Sequence, residues 1–291
     1  MFDDMLALLS GMDDQPSEKI VHAAFGWPGG KSRSYKNIQP LLPVLTTFLD
    51  VCGGSGIMTL TRPRSKFEVF NDRHAGLTAF YRCLADKALF NALMNRLELT
   101  IHSKEEWEFC KSTWEDVSDP VERAARWYYA LRYSFASLGR NFGRATRPNY
   151  VIAGLIRRQI DLLPAIHERF RDVQIENLDF RDILNDYCTP YSVAYIDPTY
   201  LGAHKGTYKH EMTVEDHIDL IDMVMHLPGF FAISGFAHPV YDGHAWDDIH
   251  VWKVFHTSKP MAFTDSNNKP VVEDHNQRES VLEHLWIKDN R

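Results

Sequence analysis

The chain has 291 residues, of which 44% are apolar, 24% charged and 12% aromatic. That composition excludes a disordered, collagen-like or low-complexity polypeptide and leaves room for one large α/β domain with an insertion or for two ordinary domains. The net charge is −7, yet residues 121–171 hold ten arginines, no lysine and three acids, a local charge of +7 against −14 for the remainder. Such asymmetry predicts a dedicated anion-binding surface, the alternative being arginines on solvated helix faces.

In chain order, residues 2–11 read as a short amphipathic helix appended to the body, with 13–18 as its exit. Residues 25–31 form a tight loop, and 34–42 a helix ended by Pro43. Residues 47–51 are a short apolar strand, 52–56 a glycine-rich turn, 57–60 a helix start, and 66–70 a second strand closing on Asn71-Asp72. Helical periodicity runs over 74–95 and 103–114, and Pro120 opens a long helix over 121–138. A basic loop follows at 139–148, then a helix over 152–171. Strand patterns return at 173–177, 193–196, 230–234, 249–255 and 281–287. The pattern predicts an α/β sheet carrying a helical subdomain between its second and third strands.

Cys52, Cys83, Cys110 and Cys188 are widely spaced, which suggests neither a disulfide framework nor a zinc site and favours a reducing compartment. No apolar run approaches the roughly 18 residues of a membrane span, and the acidic start is unlike a secretory signal, so no membrane association or export is expected. His238, His244 and His250 recur at six-residue spacing, which fits no zinc-ligand pattern. A nucleophilic Pro-Cys loop, as cytosine-C5 chemistry requires, is missing, because Cys188 precedes its proline.

Two groups of residues carry chemistry. Glycines after a first strand let a ligand approach the backbone, and an acid ending the second strand can accept from both ribose hydroxyls of a nucleoside; Gly53, Gly54, Gly56 and Asp72 fit that arrangement. Their spacing differs from the pattern that wraps a pyrophosphate, which favours a nucleoside without phosphates. The second group is Tyr195-Ile-Asp-Pro-Thr-Tyr200 at the end of an apolar strand. There a carboxylate can accept from an amino group while an aromatic face stacks on a planar base.

Read in order, several segments resemble the Dam-like class of adenine-N6 DNA methyltransferases, the group with the Asp-Pro-Pro-Tyr motif in its α order. Phe25-Gly-Trp-Pro-Gly-Gly-Lys31 with Asn37-Ile-Gln-Pro-Leu-Leu-Pro43 resembles the N-terminal W-A-G-G-K loop and helix, and Phe48-Leu-Asp-Val-Cys-Gly-Gly-Ser-Gly56 the V-E-P-F-x-G-x-G cofactor loop. Asn71-Asp72 with Phe80-Tyr81, Tyr129-Ala-Leu-Arg-Tyr133 through Gly139-Arg-Asn141, Asn177-Leu-Asp-Phe180, Asp197-Pro-Thr-Tyr200, and Arg278-Glu279 with Leu285-Trp286 match later motifs. The chain departs at Val51-Cys52, where the family has Pro-Phe, and at Thr199, where it has proline; the second change is expected to loosen the catalytic segment.

The resemblance implies a Rossmann-like methyltransferase sheet with a reversed last strand. Residues 20–85 and 172–291 would form the catalytic domain, 86–171 a helical target-recognition insertion, and 1–19 an N-terminal appendage. S-adenosylmethionine would be the cofactor, S-adenosylhomocysteine the product, and no metal would take part. Trp27, Lys31, Asp50, Gly54, Gly56, Asp72, Asp179, Phe180 and Asp197 would surround the cofactor. Asp50 would lie by its methionine moiety, Asp72 on the ribose, and Asp179 and Phe180 at its adenine. Asp197 and the Pro198 carbonyl would orient the exocyclic amine of a flipped adenine, with Tyr200 stacked on the base. Arg132, Arg140, Asn141, Arg144 and Arg147 would contact double-stranded DNA; apart from the resemblance, the charge asymmetry and depth in the basic loop make Arg140 the expected positioning residue and Arg144 or Arg147 the expected base reader. The implied protein is a cytoplasmic monomer or weak dimer in a bacterial or phage-infected cell, an orphan enzyme or part of a restriction-modification pair. Methylation of cytosine N4 or of RNA, and an inactive nucleic-acid-binding member of the fold, are the alternatives.

Overall fold

The computed structural model describes residues 23–137, 139–143, 157–202, 209–255 and 280–291. The expected helix over 2–11, Arg144, Arg147 and the Arg278-Glu279 pair lie outside them.

Seven strands form one sheet: β1 (Thr47–Asp50), β2 (Phe67–Asn71), β3 (Gln174–Glu176), β4 (Ser192–Ile196), β5 (Phe230–Phe236), β6 (Asp248–Phe255) and β7 (Ser280–Asp289). Their order is β3-β2-β1-β4-β5-β7-β6. β1 to β5 pair in parallel, and β7 runs antiparallel to both β5 and β6, which is the reversed last strand expected. The central strands are apolar on both faces because helices cover both. Leu49, Val69, Ala194, Phe231 and Ile233 meet α8 (Phe180–Tyr187) and α9 (Val214–His226). Phe48, Val193, Tyr195 and Ala232 face the short helices α1 (Tyr35–Ile38) and α2 (Ile57–Thr61).

Between β2 and β3 stand α3 (Ala75–Ala85), α4 (Lys87–Glu98), α5 (Lys104–Thr113), α6 (Pro120–Arg132) and α7 (Leu163–Phe170). One continuous cluster of buried side chains joins Phe70 of β2, Phe80 and Tyr81 of α3, Trp127 and Tyr128 of α6, and Trp107 of α5. The helix expected over 74–95 is two helices, because the Asp86 carboxylate accepts from the Leu89 amide and opens a new N-terminus. The helix expected to reach residue 138 stops at Arg132. There the chain turns back, with the Phe135 amide donating to the Asn141 carbonyl at 2.7 Å and the Gly143 amide to the Tyr133 carbonyl at 2.7 Å. The helix expected over 152–171 is interrupted at Asp161 and Leu162.

Strand order reverses between β1 and β4, which opens a crevice at their C-terminal ends where α/β sheets receive ligands. The glycine-rich turn and the Asp-Pro-Thr-Tyr segment leave the sheet on either side of it.

Candidate active site

The turn after β1 is fastened from its neighbours. The Val51 amide donates to the Tyr195 carbonyl at 3.0 Å, and the Gly53 amide to the Asn71 carbonyl at 2.8 Å. The Asn71 side chain donates to the Val51 carbonyl at 2.8 Å and accepts from the Leu178 amide at 2.8 Å, tying together three strand ends. Gly54 and Gly56 have φ of 51° and 69°, a region where a side chain is strained. A Cβ on Gly54 would lie 2.8 Å from the Trp27 ring, so the indole rests on bare backbone. Asp72 accepts from the Gly54 amide at 3.0 Å and from the His74 amide at 2.8 Å. Each oxygen retains a lone pair for a ligand hydroxyl.

Three carboxylates converge here. Asp50 is buried, accepts from Thr59 Oγ1 at 2.7 Å, and burial pushes its pKa up to about 7. Burial likewise lifts Asp72 to about 6, against the pull of its two amide donors. Asp197 is raised by burial and by Glu283, with Lys31 acting the other way. Burial, with Asp72, Asp197 and Asp50 nearby, keeps the Cys52 thiol protonated. Among the described residues neither Asp50 nor Asp72 has an ion-pair partner. Acids held in a crevice with no direct ion pair, Asp50 having only the more distant Arg62 as a cation to lower its pKa, fit a cationic ligand such as a sulfonium or ammonium group. Ser55 Oγ is buried without a hydrogen-bond partner, 3.5 Å from where a Cβ on Gly30 would stand, so the cradle also presents a free hydroxyl.

Beyond β4, the Lys31 ammonium lies 2.6 and 2.7 Å from the two oxygens of Asp197 and 2.9 Å from the Gly29 carbonyl. The Tyr200 hydroxyl lies 3.0 Å from Asp197 Oδ1. One ammonium and one hydroxyl therefore face four acceptor sites, which leaves at least one lone pair for a further N–H. Thr199 does not loosen the segment as expected from the loss of a proline. Its Oγ1 accepts from the Met212 amide at 2.7 Å, and its carbonyl from His217 Nε2 at 3.0 Å. Burial lowers the pKa of His217, and its Nδ1 takes the Tyr241 hydroxyl at 2.6 Å, which fixes the neutral tautomer that donates to Thr199.

The family model of the D12 class N6 adenine-specific DNA methyltransferases matches residues 27–240, from Trp27 through Asp197 and Tyr200 to beyond β5. The chain belongs to this family. It is an adenine-N6 DNA methyltransferase whose methyl donor is S-adenosylmethionine. No curated protein sequence matches it.

In this methyltransferase Trp27, Lys31, Asp50, Gly54, Gly56, Asp72 and Asp197 gather around the crevice. Asp179 stands at its edge as the N-cap of α8, 3.3 Å from Arg73 and 3.1 Å from Arg181. Phe180 turns into the core. Glu283, buried on β7 and in contact with Tyr200 and Lys31, is the residue that sequence reasoning missed. Its signal was the alternation Val281, Glu283, Leu285, Ile287, in which a carboxylate occupies an inward position.

The arginine-rich segment is not one anion-binding face. Arg169 is buried and paired with Glu68 at 2.5 and 2.9 Å. Arg126 meets Glu122 at 3.0 Å, Arg171 meets Glu168 and Asp172, and Arg123 donates to the carbonyls of Val117 and Glu115. Arg132 donates to Ser137 Oγ at 3.3 Å. Arg140 and Asn141 are exposed on the turn that follows α6. Among the described residues no cluster of His, Cys, Asp or Glu is placed to hold a metal ion, and no helix is long and apolar enough to cross a membrane.

Proposed function

We propose that the methyltransferase acts on duplex DNA at a specific sequence, taking the target adenine out of the helix into the β1/β4 crevice. The observation that carries this reading is the juxtaposition of the cofactor loop and the catalytic segment, joined by the hydrogen bond from Val51 to Tyr195. Trp27, Gly54, Gly56, Asp50, Asp72 and Asp179 would hold S-adenosylmethionine, which supplies an electrophilic methyl group when bound. The remaining acceptor site on Asp197 takes one N–H of the adenine amine, and the Pro198 carbonyl takes the other. Tyr200 offers one ring face to the base, Lys31 lying 4.9 Å from its centroid. Asp197 need not be a strong base, since the amine becomes acidic once alkylated, and fixing its lone pair on the methyl supplies much of the acceleration.

Arg140, Asn141, Arg144 and Arg147 would contact DNA, with Arg132 bracing the turn that presents them. The bound segments 20–85 and 172–291 act as the catalytic body, and 86–171 as the recognition unit. A cytoplasmic monomer or weak dimer, working without a metal, completes the reading. Substituting 2-aminopurine for adenine in methylatable duplex tests it. Enzyme-dependent fluorescence at the methylated position is expected, and an unchanged signal there contradicts flipping.

A further inference from the structure

β7 carries Glu283 in line with Leu285 and Ile287, which are buried in the core against Phe48 and Val193. A carboxylate in such a position is costly unless donors surround it. Glu283 has four, from separate parts of the chain. Its Oε1 lies 2.8 Å from the Tyr200 hydroxyl and 3.4 Å from Lys31 Nζ. Its Oε2 lies 2.8 Å from Ser34 Oγ and 3.0 Å from Trp252 Nε1. Ser34 and Trp252 hold the carboxylate from behind, leaving its other oxygen directed at the catalytic segment.

Tyr200 has a single hydroxyl proton and two carboxylate neighbours, Glu283 at 2.8 Å and Asp197 at 3.0 Å. Donation to one leaves the other unserved. Lys31 is likewise placed between the two acids. We propose that Glu283 is a positioning residue of the methyl-transfer reaction, drawing the Tyr200 hydroxyl and the Lys31 ammonium toward itself so that Asp197 keeps an acceptor lone pair for the target amine. The inference rests on the reading that Asp197 binds that amine. Glu283 lies outside the interval 27–240 and acts through Tyr200 and Lys31, not on substrate.

The test is Glu283→Gln, which keeps the shape but cannot accept from four donors. Turnover is expected to fall about tenfold or more while affinity for S-adenosylhomocysteine is unchanged. Asp197 also faces Asp50 on β1, Cys52 on the cofactor loop, Tyr195 on β4, Lys31 and Tyr200, and none of these changes. Removing the negative charge of Glu283 alone should therefore let Asp197 ionise at lower pH and carry the acid limb of the turnover profile with it. Carbon-13 NMR titration of aspartate-labelled apoprotein, with Asp197→Asn to assign the resonance, reads the same shift without turnover. An unmoved Asp197 titration, or turnover lost only in proportion to unfolded protein, overturns the proposal. If Glu283→Gln does not fold, Glu283→Asp retains the charge one methylene further from Tyr200; reduced turnover with intact cofactor binding is expected, and wild-type turnover overturns the proposal. Failure of the wild type to methylate DNA would sink the functional reading, whereas the apoprotein titration bears on Glu283 alone.

Discussion

At the strand ends Asp50, Asp72 and Asp197 converge, and among the described residues only Asp197 has a direct ion-pair partner, Lys31, while Arg62 acts on Asp50 from further off. In the helical insertion, by contrast, Arg169, Arg126 and Arg171 each meet a carboxylate, and Arg123 meets backbone carbonyls. Acids without direct partners are held in a crevice at a cost in stability, a pattern common at ligand sites, whereas these arginines of the insertion are already engaged within the chain. The local +7 of residues 121–171 therefore overstates what the segment can offer to DNA. Charge density in sequence measures a binding surface only after internal partners are subtracted.

The contrast breaks most sharply at Arg169. Arg169→Ala leaves Glu68 buried without its partner and should cost about 3–5 kcal/mol in stability, measured by urea unfolding. A loss under about 1 kcal/mol, accompanied by weaker DNA binding, would return Arg169 to the binding surface. Next in size is Asp72→Ala, which removes charge-assisted acceptors for ribose hydroxyls. Affinity for S-adenosylhomocysteine should fall by about 1.5–3 kcal/mol, roughly ten- to a hundredfold, by calorimetry. Wild-type affinity would remove Asp72 from the site.

Asp50 sharpens the comparison through pH. An acid whose folded pKa is raised is held more favourably in its protonated form, so its contribution to stability falls as pH rises from the ordinary 3.8 to about 7. Asp50→Asn stays neutral throughout. The apoprotein variant should thus melt higher than wild type at pH 8, with a smaller difference at pH 5, while binding S-adenosylmethionine more weakly. A melting difference independent of pH would show that Asp50 carries no such strain. The smallest effect belongs to the exposed turn: Arg140→Ala should flatten the dependence of log affinity on log salt by about 0.9 if it meets a duplex phosphate. An unchanged slope would remove Arg140 from the backbone contacts.

The strands were legible because segments buried on both faces must be apolar runs ended by turn residues, as Thr47–Asp50 and Ser192–Ile196 are. The break at Asp86 was not, since helical periodicity continues through it and only the capping carboxylate separates α3 from α4. That the glycine-rich turn, Asp72 and the Asp197 segment would meet at the strand ends could be read from local motifs. What escaped were partners distant in sequence. Arg169 and Glu68 are 101 residues apart, and Tyr200 and Glu283 are 83 apart. Thr199 misled for the same reason, because the groups that replace a rigid proline, the Met212 amide and His217, stand 13 and 18 residues away.

The central claim is that Asp197, held beside the glycine-rich turn and left with a free acceptor site, orients an adenine amine for methylation. Nucleoside analysis of duplex DNA treated with labelled S-adenosylmethionine tests it directly, comparing wild type with Asp197→Ala. Wild type should yield labelled N6-methyladenine, and the variant none while still binding S-adenosylhomocysteine. Substantial N6-methyladenine from Asp197→Ala, or label on cytosine from the wild type, would contradict the account.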